Sequence, residues 1–253
     1  MLNFAHHALL GRKLRVDDLE DLGRPTQDII IDAIDAGCLD EARELAKYTV
    51  AEGKSLHDLF CDGLWDILTK VSAISGEESV YQLLRSSQET WMLRRTWKAF
   101  RKIPVVEQVA ITAEIMRSHH CGPNQDGAVL VIEEQDRYII RMDPCGSGGR
   151  MRRGDPVDGT PSRLEAPYNF GVTKEAHDWS WGQVGVPYYC LHCAVNEILP
   201  MEWDGHPLRV TDYDADPEKP CQWCFYKSFD LIPEHYYTRL GFKKPTPEAS
   251  GAD

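Results

Sequence analysis

Two cysteine pairs of identical spacing, Cys190-Leu191-His192-Cys193 and Cys221-Gln222-Trp223-Cys224, carry the strongest chemical signal in the chain. A Cys-x-x-Cys spacing lets two thiolates converge on one tetrahedral ion at bonds of about 2.3 Å. The doubled motif predicts a site of four thiolates, Cys190, Cys193, Cys221 and Cys224, which would be closed and structural. His192 opens a second arrangement: a mixed Cys/His set that leaves out one thiol keeps a coordination position for water or substrate, as catalytic zinc requires. Thiolate-rich sites select zinc or iron over magnesium, so zinc is the expected metal and iron, alone or as an iron–sulfur cluster, the alternative. Eight cysteines in one chain fit this better than disulfides do, because in a reducing compartment clustered thiols are more often ligands or catalytic groups.

A second signal is Asp143-Pro144-Cys145-Gly146-Ser147-Gly148-Gly149-Arg150, a cysteine leaving a strand into a glycine-rich loop, with Arg152 and Arg153 beyond it. Successive backbone N–H groups at Gly146, Ser147 and Gly148 suit an anion, and Arg150 with Arg152 would clamp a carboxylate. No Gly-Lys-Ser/Thr ending follows, so this is not a nucleotide P-loop. The same positive charge would favour the Cys145 thiolate as nucleophile or as substitute metal ligand. His119 and His120, at the end of an expected helix, are the imidazoles that could activate it. His177, His206 and His235 each have a nearby carboxylate and read as loop or surface histidines.

The elements that must position these groups change character near residue 120. Only Pro25 and Pro104 precede that point among the 15 prolines, so long helices are expected before it and not after. Apolar residues at helical spacing run to Gly37, then from Leu39 to Gly53, and Ser55 with Asp58 reads as a capping-box-like start of a third helix. Further helices are expected over Glu78 to Arg101 and from Pro104 to about Ser118, giving four or five antiparallel helices in residues 1–120. After it, Ala128 to Met142 reads as a hairpin about Glu134-Gln135-Asp136, and Leu208 to Tyr213 with Gln222 to Lys227 as another strand pair. The stretch from Gly154 to Val186 shows no period; Tyr168, Phe170, Trp179 and Trp181 mark it as an ordered loop covering a site. The expected fold class is α+β: a helical bundle over residues 1–120 packed on a loop-rich, metal-containing half over 121–253.

Ala33-Ile34-Asp35-Ala36-Gly37, Glu41-Ala42, Glu52-Gly53 and Gly63-Leu64-Trp65 together resemble the helical cap module of corrinoid-binding proteins of the methionine synthase type. The resemblance covers residues 28–75. In that family the cap precedes a doubly wound domain whose Asp-x-His-x-x-Gly motif ligates cobalt, and no such motif occurs in this chain.

A net charge of −12 repels phosphate backbones and anionic lipid, which argues against nucleic acid as a partner. No apolar window is long enough for a membrane helix, and the start lacks the features of a leader, so the expected setting is the cytoplasm. Nucleotide, flavin and Ser-His-Asp signatures are missing. The expected function is a zinc-dependent hydrolase or lyase acting on a small anionic, partly aromatic carboxylate. Metal-bound water or Cys145 would attack, His119, His120 or His192 would move protons, and the helical half would be the surface for a homodimer. The alternative is a non-catalytic ligand or redox sensor with a structural four-cysteine site.

Overall fold

The computed structural model describes residues 4–8 and 11–246, with the backbone alone for residues 91–95 and 98. Residues 1–3, part of the stretch read as lacking a leader, lie outside the described residues. The fold is α+β. It forms two compact units: Met1–Phe60 with Asp155–Thr160, and Cys61–Gly154 with Pro161–Asp253.

In the first unit, β1 (Phe4–His7) and β2 (Arg12–Arg15) form an antiparallel hairpin in which Phe4 pairs with Arg15. Neither strand has the alternation that would have announced it. Helix α1 (Thr26–Asp35) follows Pro25 and stops as expected at Gly37, whose φ of +76° is easy only for glycine. The expected break at Gly53 does not occur. Leu39–Ser75 is one helix of 37 residues, α2, and Ser55 sits inside it as acceptor of a 2.8 Å hydrogen bond from Arg12. A glycine costs an exposed helix about 1 kcal/mol, too little to stop one with good helix formers on both sides. Lys54 fastens the segment Asp155–Thr160 to this helix by ion pairs with Asp155, at 2.7 Å, and with Asp158.

The second unit holds the rest of α2, then α3 (Glu77–Ser87), a π-helical segment Gln88–Leu93, α4 (Arg94–Phe100) and α5 (Val105–Arg117) with Pro104 at its start. Strands β3 (Leu130–Glu133) and β4 (Arg137–Met142) form the expected hairpin. Short helix α6 (Gly148–Arg153) and the long loop lead to α7 (Leu191–Asp204), then β5 (Val210–Asp212), β6 (Cys221–Tyr226) and α8 (His235–Thr238). The two strand pairs merge into one antiparallel sheet of order β3-β4-β6-β5, because β6 pairs with β4 as well as with β5.

Packing decides two points here. Helices from before residue 120 pack on the sheet after it: Trp65, Leu68, Val80, Leu84, Val109 and Met116 share one buried cluster with Ile140, Met142, Val210 and Phe225. A four-stranded sheet with a three-residue edge strand buries too little by itself. The proline-rich half also contains a long helix after all, since α7 has 14 residues and encloses Pro200. Every residue from Cys193 to Met201 is buried, and burial on all sides outweighs the roughly 3 kcal/mol that an internal proline costs.

The long loop is ordered and anchored as its aromatic residues suggested. Trp179 and Trp181 are buried, Phe170 packs on the core, and the Trp65 indole donates to the Gly171 carbonyl at 2.7 Å. Among the described residues no helix is long and apolar enough to cross a membrane.

Candidate metal centre

One cavity in the second unit is lined by four thiols: Cys145, Cys190, Cys193 and Cys221. Three different kinds of local structure bring them there. Cys190 and Cys193 stand at the first turn of α7, where residues three apart share a helix face. Cys221 opens β6, whose side chains alternate between the two faces of the sheet. The register places Cys221 opposite Met142 and Trp223 opposite both Ile140 and Thr211, and Met142, Thr211, Cys221 and Trp223 all line the cavity.

Cys224 is three residues on from Cys221 and therefore on the other face, opposite Ile139 and Val210. Its thiol lies 3.6 Å from the Asp212 carboxylate, and burial pushes it up to about 12. The four-thiolate set expected from the doubled motif is thus corrected at one position: Cys145 belongs to the cavity and Cys224 does not.

Cys145 is held by the glycine-rich loop, whose glycines are required by close approach. A Cβ on Gly146 would meet the His119 carbonyl oxygen at 1.4 Å, and one on Gly148 would lie 2.4 Å from Cys190 Sγ. The first approach presses the loop against the end of α5. There His119 Nε2 lies 2.8 Å from Ser147 Oγ, and Ser147 Oγ lies 3.8 Å from Cys145 Sγ. The second lets the loop lie directly on a cavity thiol. The backbone N–H of Gly149 donates to Cys145 Sγ at 3.5 Å.

The other candidates divide cleanly. His119 and His192 line the cavity; His120 does not, and its Nδ1 lies 3.0 Å from the Gln125 carbonyl oxygen. His192 Nδ1 donates to the Tyr189 carbonyl at 2.5 Å, which leaves Nε2 as the acceptor 3.4 Å from Cys193 Sγ. Burial holds this imidazole below its ordinary value and so in the neutral form. Arg150 is buried away from the cavity lining and donates to the Gly146 carbonyl at 2.9 Å, so it fixes the loop instead of clamping a ligand. Arg152 does line the cavity, but its guanidinium donates to Tyr213 at 2.8 Å and to the Asp214 carbonyl at 2.7 Å. The expected pair of carboxylate-clamping arginines is therefore not assembled.

Burial governs the electrostatics. It pushes the Cys190 and Cys221 thiols well above their ordinary value, where neighbouring thiols push in the same direction, and Cys193 to about 12, where Arg209 opposes it. Thiols raised in this way, as at Cys190, Cys193 and Cys221, are stable as thiolates only with a cation among them. Beside them the Arg209 guanidinium stacks on Trp223 at 4.0 Å, the Trp223 indole donates to the Cys193 thiol, and the buried atoms Arg152 Nε and Arg209 Nε have no hydrogen bond. Sequence reasoning missed Thr211, Tyr213, Trp223 and Arg209. Period-two alternation on β6 would have separated Cys221 and Trp223 from Gln222 and Cys224; nothing in the sequence points to the others.

Among the described residues, the three His, Cys, Asp or Glu ligand atoms found within 4.8 Å of one another belong to Asp58, Asp155 and Asp158, in the first unit, where Lys54 supplies the countercharge. The four cavity thiols are more widely spread. Compared with protein-family models, with curated proteins and with solved structures, the chain matches none.

Proposed function

We propose that the protein carries a metal centre on the thiolates of Cys145, Cys190, Cys193 and Cys221 and serves as a redox or metal-state sensor. The observation that carries this reading is the convergence of four sulfurs, from three segments far apart in sequence, on one buried cavity. Four protein ligands close a centre and leave no position for substrate, which favours a sensing or electron-carrying role over hydrolysis. The metal content of the full chain, purified without added metal, tests it directly. One centre per protomer is expected. A metal-free chain that stays folded in strong chelator would end this reading.

A second reading, a metal-dependent hydrolase or lyase, has one specific observation in its favour. His119 Nε2 and Ser147 Oγ lie 2.8 Å apart on the wall beside Cys145, an imidazole–hydroxyl contact of the kind that moves protons. It is distinguished by turnover of small aryl carboxylate esters and amides. Activity that His119→Ala and Ser147→Ala abolish while the metal remains would favour it over sensing.

A further inference from the structure

Resting on that reading of the four thiols, we infer that the centre is a polynuclear iron–sulfur cluster of the four-iron, four-sulfide type and not a single zinc ion. The spacing of the sulfurs is the first ground. A lone tetrahedral ion with bonds of about 2.3 Å draws its four sulfurs to roughly 3.8 Å from one another. No three of the four cavity thiols come within 4.8 Å of one another among the described residues. A cube of four irons spreads its thiolates wider, since each bonds a different iron at a different corner.

The second ground is space. The four thiols stand around the open space of one cavity, of about 40 Å³, that they line together with residues such as Trp181 and Tyr213. Sulfurs around a single zinc meet one another and enclose nothing.

The third ground is the set of donors around that space. Gly149 N–H points at Cys145 Sγ, the Trp223 indole donates to the Cys193 thiol, and Arg152 Nε is a buried donor of a cavity-lining residue without a hydrogen bond. A buried donor without an acceptor costs about 1–3 kcal/mol, and donors already aimed at thiol sulfur suit a centre whose acceptors are sulfur. Inorganic sulfides and iron-bound thiolates are acceptors presented over the whole cluster surface, whereas a zinc ion presents none. Hydrogen bonds of this kind to sulfur, together with burial behind aromatic walls such as Trp181 and Tyr213, are what set the potential of such clusters.

Loading balances as ligand exchange: four iron–sulfur bonds to the protein thiols form as four bonds to the ligands the cluster arrives on break, and those leaving ligands take the four protons, so no oxidation state changes.

The test uses the full chain, purified without oxygen from iron-supplied cells and separately reconstituted with ferric iron, sulfide and a dithiol, whose oxidation to a disulfide reduces two of every four irons. About four irons and four acid-labile sulfides per chain are expected, with broad visible sulfide-to-iron absorption that bleaches on reduction. Cys145→Ser and Cys221→Ser should lower the iron at least tenfold, and Cys224→Ser should leave it unchanged. Iron X-ray absorption of the wild-type protein, which depends on no variant folding, should show iron–iron neighbours. One tightly held zinc without sulfide, or a cobalt form with a tetrahedral thiolate spectrum and no cluster, would overturn the cluster while leaving the four-thiolate centre standing. Two irons and two sulfides would overturn the four-iron assignment, and a chain that takes up neither metal would overturn both.

Discussion

The two Cys-x-x-Cys pairs are spelled alike and end differently. Cys190 and Cys193 lie on a helical turn, where a three-residue step returns to the same face, and both reach the cavity. Cys221 and Cys224 lie on a strand, where the same step ends on the opposite face, so one thiol reaches the cavity and the other pairs with Asp212. Spacing alone therefore does not specify a ligand pair; spacing multiplied by the period of the element does. The fourth thiol comes instead from Cys145, in a loop whose glycines allow it to lie against both His119 and Cys190.

This contrast can be broken by substitution, and the largest effect should fall on Cys221. Cys221→Ser is expected to lose the metal at least tenfold while the chain remains helical, read by metal analysis beside circular dichroism. Equal loss from Cys221→Ser and Cys224→Ser would show that the strand does not sort the two thiols.

Gly148→Ala should come next. Its new Cβ would lie 2.4 Å from Cys190 Sγ, and a severalfold loss of metal affinity is expected with little change in folding. Unchanged affinity in a competition titration against a chelator would show that the loop yields at no cost.

A smaller effect should reach the helix pair from a distance through Glu77, which accepts hydrogen bonds from the Tyr188 hydroxyl at 2.7 Å and the Lys174 backbone N–H at 2.6 Å, and lies 3.1 Å from His177 Nε2. Burial alone would raise this carboxyl, but those bonds outweigh it and hold the group below its ordinary value of 4.5. A carboxyl lowered in the folded state contributes stability that is present above the unfolded value and is lost as pH falls through the folded one. The Tm difference between the wild type and Glu77→Gln should therefore be full at neutral pH and should close on acidification below about 4.5. A difference that grows in acid would contradict this assignment.

Cys224→Ser should do least. Its hydroxyl can keep the contact with Asp212, so stability should change by less than about 1 kcal/mol in denaturant titration, with metal content unaltered.

The parts of the fold that could be read from the sequence are those decided locally. The β3–β4 hairpin, the strand pair β5 and β6, the stop of α1 at Gly37 and the start of α5 after Pro104 all follow from turn and cap chemistry. The parts that could not be read were settled by packing at long range. Gly53 and Ser55 look like punctuation, and only the surroundings of α2 decide that the helix runs through them. Pro200 looks prohibitive until α7 is known to be buried on every side. Of the cavity-lining residues, Cys190, Cys193 and Cys221 were legible from their motifs, and His119 from its place at the end of α5. The exchange of Cys224 for Cys145 needed the strand register, and the diversion of Arg152 needed the loop after β5.

Strand β6 lies inside the sheet, between β4 and β5, although among the described residues it is the last strand to be synthesised. Translation at roughly 5–20 residues per second exposes the Cys145 loop seconds before Cys221 leaves the ribosome. Until then the nascent chain has an unfinished sheet edge and three of the four cavity thiols. Pairing of β6 with β4 closes that edge and delivers the fourth thiol in the same movement. The order of manufacture thus makes sheet completion the earliest moment at which all four thiols can meet, and a chain cut short before Cys221 forfeits both.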